Sequence, residues 1–127
     1  DKAAIEKIFI DLMNLTRDMS DEQKRYMREG FTNDEQLAIY DLLVKDNLSR
    51  QDIAAVKALS VELLADIEDT IRAFTHWTEK ATTKTKVETK IRDKLWSELP
   101  EAYEQDEIRA YTEKIYRYAL ERFGSAA

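Results

Sequence analysis

The stretch Arg50-Gln51-Asp52-Ile53-Ala54-Ala55-Val56-Lys57-Ala58-Leu59-Ser60-Val61-Glu62-Leu63-Leu64-Ala65-Asp66-Ile67-Glu68-Asp69-Thr70-Ile71-Arg72-Ala73-Phe74 decides the fold class. Ile53, Val56, Leu59, Leu63, Leu64, Ile67, Ile71 and Phe74 return at intervals of three and four, the period of one helix face, through about seven turns with no glycine or proline. Such a run predicts a long helix acting as a central spine, with Ile53, Val56, Leu63, Ile67 and Ile71 in the core.

The same period extends outward in both directions. Upstream, Ile5, Ile8, Phe9, Leu12, Met13 and Leu15 form a first stripe. Ser20 and Gln23 have capping-box spacing for a short helix that Gly30 closes, with Phe31 packing back on it. Thr32 and Glu35 repeat the capping-box spacing ahead of Leu37, Ile39, Tyr40, Leu43 and Val44. Asp46-Asn47 then breaks the pattern and Ser49 starts the spine. Downstream, the five threonines between Thr75 and Thr85 predict a frayed or bent connection. Val87, Ile91, Leu95 and Leu99 resume the period up to Pro100, and a last helix from Gln105 to about Gly124 turns Ile108, Tyr111, Ile115, Tyr118 and Ala119 inward. The expectation is an all-α chain, a single compact domain (1–127) of about six helices around one long central helix.

Composition agrees and excludes much. Two glycines and one proline stand where average usage gives roughly nine and six, too few for the turns of most β architectures. Two glycines, Gly30 and Gly124, cannot build a Walker A or dinucleotide-binding loop. With no cysteine and one histidine, His76, the chain has no thiol nucleophile and no Cys/His zinc cage. The longest apolar runs, such as Leu37 to Tyr40, are four residues, far short of the roughly 20 that cross a bilayer. No membrane association and a cytoplasmic location are expected. The chain opens with Asp1 in place of Met, which fits a processed chain or an excised piece of a larger protein.

The net charge is −6, and its excess lies in residues 1–75, which hold 16 acidic and 10 basic groups against 10 of each in residues 76–127. Asp66, Glu68 and Asp69 near His76 read as a solvated face. Glu22-Gln23-Lys24 and Glu88-Thr89-Lys90 match half of a nuclease core that belongs on a strand, but both lie in helical pattern. Residues 32–57 have the outline of a helix-turn-helix. Its second helix would mix Arg50 and Lys57 with Asp52, Glu62 and Asp66, which repels phosphate as much as it attracts it.

The strongest basic feature is Lys80, Lys84, Lys86, Lys90, Arg92 and Lys94. Lys86, Lys90 and Lys94 form one row at spacing four beside Val87, Ile91 and Leu95, a positive edge suited to nucleic-acid phosphates or a plain solvated face. Trp77 and Trp96 flank it and, with Tyr116, are candidate partner-binding residues, although Trp and Tyr as often fill a core.

One set of residues carries more than pattern: Arg25-Tyr26, Glu29-Gly30-Phe31, Asp34-Glu35-Gln36-Leu37-Ala38, Tyr40-Asp41-Leu42-Leu43, Asp46-Asn47-Leu48-Ser49, Asp52-Ile53, Val56-Lys57, Ile91-Arg92-Asp93 and Leu99-Pro100-Glu101-Ala102-Tyr103. Together they resemble the C-terminal helical domain of the motor, or R, subunit of type I restriction endonucleases, over nearly the whole chain. In that family the nuclease and the ATP-dependent motor lobes lie elsewhere in the subunit. The resemblance therefore implies a segment with no catalytic residues and no cofactor of its own, which docks onto the methyltransferase and specificity subunits; the main rival is a module of the same machine that contacts double-stranded DNA through the basic edge. The alternative is a stand-alone helical module that binds protein or nucleic acid. An exposed apolar patch would favour assembly, and clustering of the six basic residues on one surface would favour DNA.

Overall fold

The computed structural model describes residues 2–17 and 20–124, with the side chains of 11–17 outside that description. These residues form six α-helices and one 3₁₀ turn, with no strand among them: α1 Lys2–Arg17, α2 Asp21–Arg28, α3 Asp34–Leu43, α4 Arg50–Arg72, the turn Trp77–Glu79, α5 Ala81–Glu98 and α6 Gln105–Phe123. The chain is all-α, and it divides into two compact units, Asp1–Leu37 and Ala38–Ala127.

In the first unit, local signals act as the sequence predicts at α2 and with a shift at α3. The Ser20 hydroxyl accepts from the Gln23 amide while the Gln23 side chain accepts from the Ser20 amide, a complete capping box. Gly30 takes φ 91°, and the Gly30 and Phe31 amides donate to the carbonyls of Met27 and Tyr26. That pair of bonds is the Schellman closure, and it needs a residue that tolerates positive φ. Phe31 is buried. At α3 the cap is Asn33 instead of Thr32: its Oδ1 accepts from the Gln36 amide at 2.8 Å, and Gln36 Oε1 accepts from the Thr32 amide and hydroxyl. The amide side chain of Asn33 reaches the N3 donor, so Glu35 drops out of the motif. α1 keeps its apolar residues in water: Ile5, Ile8, Phe9 and Ile10 are all exposed. Leu12, Met13 and Leu15 of the same stripe lie outside the described side chains.

The second unit holds the extensive core. α4 starts where Ser49 Oγ accepts from the Asp52 amide and buries Val56, Leu59, Leu63, Leu64 and Ile67. Ile53 and Ile71 are only half-buried, so the core of this helix is shorter than its apolar stripe. The helix ends at Arg72, short of Phe74. Ser60, on the buried face, donates its hydroxyl to the Val56 carbonyl at 2.8 Å and so leaves no polar atom unpaired.

The threonine-rich connection is more ordered than its composition suggests. His76 in the left-handed region, φ 56°, reverses the chain into the 3₁₀ turn. Trp77 is buried there, with its indole N–H 3.4 Å from the Phe123 carbonyl. α5 begins at Ala81, several residues before Val87, and the buried Thr83 donates its hydroxyl to the Trp77 carbonyl. One of the five threonines, Thr83, thus serves as polar core and turn lock. α5 packs against α4, α6 and the turn, and buries one residue per turn: Thr83, Val87, Ile91 and Leu95. On α6, Ile108, Thr112, Ile115 and Ala119 are buried. Tyr111 and Tyr118, expected inward, are half-buried at the edges of that row.

A polar staple joins the α3–α4 junction to the α5–α6 loop. Buried Tyr103 donates its hydroxyl to the Leu43 carbonyl at 2.6 Å, and Lys45 Nζ reaches the Ala102 carbonyl and Glu107 at 2.9 Å. Lys45 also lies 4.7 Å from the centre of the Tyr103 ring. Residues of the two stretches Tyr40–Lys57 and Leu99–Tyr103, both of which carry the family resemblance, therefore meet in space and are structural first.

Candidate functional site

α5 positions nearly all of the basic residues singled out in the sequence, and its buried row divides them. Lys86, Lys90 and Lys94 follow one another at spacing four on the flank that faces α4. Lys84, Glu88 and Arg92 do the same on the flank that faces α6. The six cations therefore do not share one surface, and Lys80 stands exposed ahead of the helix.

On the α4 side the positive edge is partly neutralised. Lys94 Nζ lies 3.4 Å from Glu62 and 3.9 Å from Asp66, with its side chain mostly covered. Lys90 shares a shallow depression with Asp66 and Asp93. Lys86 sits over the Phe74 ring at 4.6 Å, within cation–π range. The acidic excess of the N-terminal half is thus brought onto the basic helix by packing.

On the α6 side a groove of about 630 Å³ opens. α5 contributes Glu88 and Arg92 to it; from α6 come Arg109, Glu113, Arg117 and a floor of Thr112, Tyr116 and Leu120. Helical spacing explains the α6 set, since residues 109, 113, 116, 117 and 120 fall on one face. The charges are not equally committed. Arg117 donates to Glu113 at 2.6 Å, one turn away, and the Thr112 hydroxyl is spent on the Ile108 carbonyl. Among the described residues Arg92 pairs only with Asp93, 3.9 Å from its Nε, and the Arg109 side chain makes neither a hydrogen bond nor an ion pair. Burial, and next the Glu88 charge, push the Tyr116 phenol above its ordinary value, so it stays a neutral donor.

The aromatic candidates separate. Trp77 is 3% exposed, so it belongs to the core and is not available to a partner. Trp96 is 43% exposed, one turn beyond Arg92 on the outer side of α5. Tyr116 is half-buried in the groove floor. Sequence reading missed Arg109, Glu113 and Arg117. A helical wheel of α6 groups them, but their meeting with Arg92 depends on how α5 and α6 pair.

The acidic residues near His76 do not converge on it: Asp69 pairs with Arg72 at 3.3 Å, Asp66 faces Lys94, and the nearest carboxylate to His76 is Glu79 at 3.8 Å. Among the described residues no group of three or more carboxylates or histidines could hold a metal ion, and no helix is long and apolar enough to cross a membrane. Compared with known proteins, the chain matches no family model, no curated protein and no solved structure.

Proposed function

We propose that this chain is a non-catalytic, cytoplasmic assembly module without a cofactor, which docks the motor subunit of a type I restriction endonuclease onto its methyltransferase and specificity subunits. The observation that carries the reading is the apolar face of α1. Ile5, Ile8, Phe9 and Ile10 keep more than half of their surface in water. Ile5, Ile8 and Phe9 share one helix face with Ile10 on its flank, and exposed apolar side chains so grouped mark a contact surface more often than a free one. The resemblance carried by residues 25–57 and 91–103 supplies the assembly, and three of its residues, Leu43, Ala102 and Tyr103, have a structural role in the staple.

The test uses a full-length motor subunit that carries this sequence. Replacing Ile5, Ile8 and Phe9 together by serine is expected to abolish co-elution with the methyltransferase while leaving ATP hydrolysis by the motor intact. Assembly of the triple variant with unchanged affinity would overturn the reading.

A second reading, contact with duplex DNA, is favoured by Lys86 and Lys90, neither of which has a carboxylate within ion-pair distance among the described residues. With Lys94 already held by Glu62 and Asp66, this row offers two phosphate contacts, worth about 0.9 each in the salt dependence of binding.

A further inference from the structure

We infer that the groove between α5 and α6 is a docking site for an acidic peptide segment of a protein partner, one that sets a carboxylate on Arg92 and Arg109 and an apolar side chain on Tyr116 and Leu120. The inference concerns a different surface from α1 and does not depend on which assembly the chain joins.

The groove has the size of a ligand site, about 630 Å³, enough for a few side chains. Its walls hold three arginines and two glutamates, a cationic balance in a chain of net charge −6. One glutamate is taken, because Glu113 is bound to Arg117. What stays open is Arg92, loosely placed by Asp93, and Arg109, whose side chain has no partner among the described residues, against one remaining glutamate, Glu88. Two guanidinium groups beside an apolar floor call for a planar anion, which the fork of an arginine holds in two parallel bonds. Trp96, 43% exposed, lies one turn beyond Arg92 and outside the groove lining. Trp, Tyr and Arg together are the residues that dominate protein–protein contact energies.

A carboxylate on a peptide fits better than a nucleic-acid backbone. A duplex presents phosphates in a continuous row, and the uncommitted Glu88 lies on the same wall as Arg92, where a further phosphate is repelled. A peptide places single charges, with neutral or basic residues opposite the glutamates and an aliphatic one on Leu120.

The experiment titrates the intact chain by calorimetry with a blocked leucine- and serine-containing peptide that carries one glutamate, its glutamine counterpart, inorganic phosphate and a short DNA duplex. The glutamate peptide is expected to bind about tenfold or more tightly than the glutamine one, with R92E/R109E removing the advantage and R92K/R109K keeping part of it. Both arginines are exposed, and circular dichroism checks that the variants keep their helices. Equal binding of the two peptides, or no binding of the glutamate peptide at about 1 mM, overturns the inference. Displacement of the peptide by phosphate or by the duplex at lower concentration overturns it in favour of a plain anion site or a nucleic-acid site.

Discussion

α1 and α4 carry apolar stripes of the same period, yet Ile5, Ile8, Phe9 and Ile10 remain 56 to 66% exposed, while Val56, Leu59, Leu63 and Ile67 fall to 2% or less. A stripe states which face of a helix avoids water. It does not state what covers that face, and covering is where the free energy comes from, since most helical stability in proteins derives from packing the amphipathic face. α4 has α5 against it. On α1 the same pattern stays exposed, so the period alone does not decide which helix face becomes core.

The sharpest way to break that comparison is Leu63→Ala. Leu63 is fully buried, and truncation removes its transfer free energy and leaves a cavity, so a loss of about 2 to 5 kcal/mol is expected in urea unfolding. A loss below about 1 kcal/mol would mean that the core around α4 collapses freely, as an unspecific helical bundle does.

Tyr103→Phe comes next. The hydroxyl removed is the one that satisfies the buried Leu43 carbonyl, and leaving that acceptor unpaired costs about 1 to 3 kcal/mol. A cost near zero would show that water reaches the Leu43 carbonyl and that the staple is surface decoration.

The staple also marks how far the sequence is legible. Helix number and most boundaries follow from local chemistry that needs no partner, such as the Ser20 capping box, the Gly30 closure and the Pro100 stop. The threonine-rich stretch misleads because composition cannot distinguish a frayed connection from one in which Thr83 is locked onto Trp77. The basic edge misleads for a related reason. Spacing groups Lys86, Lys90 and Lys94, but their fate is set by Glu62, Asp66 and Phe74, which come from another part of the chain. Likewise Arg92 and Arg109 belong together only once α5 and α6 are paired. Sites built along one helix can be read from spacing, whereas sites built across two require the packing.

A smaller effect is expected from pH. The Lys45 ammonium, and then the Glu104 amide, hold the Glu107 carboxyl below its ordinary 4.5. A carboxyl depressed in the folded chain gives stability that is present above 4.5 and is lost as pH falls through the lower folded value. Glu107→Gln is therefore expected to lower stability at neutral pH, to leave it nearly unchanged well below 4.5 where the carboxyl is protonated in both states, and so to flatten the acid limb between them. An unaltered acid limb would show that Lys45 is held by Ala102 and Tyr103 alone.

The smallest effect belongs to the other side of the comparison. If the α1 face is uncovered in the free chain, Phe9→Ser removes no native contact, and its unfolding free energy should stay within about 0.5 kcal/mol of the parent. The size of the side chain makes this a strict test. A buried phenylalanine would cost about 3 to 5 kcal/mol on truncation to alanine, so the two states of the face differ by far more than the error of a urea melt. Measuring at several protein concentrations separates the two ways of failing. A cost that grows with concentration means that copies of the chain cover one another through α1, because association adds to stability by mass action. A cost independent of concentration means that α1 folds back on its own chain, and the difference between α1 and α4 would then vanish.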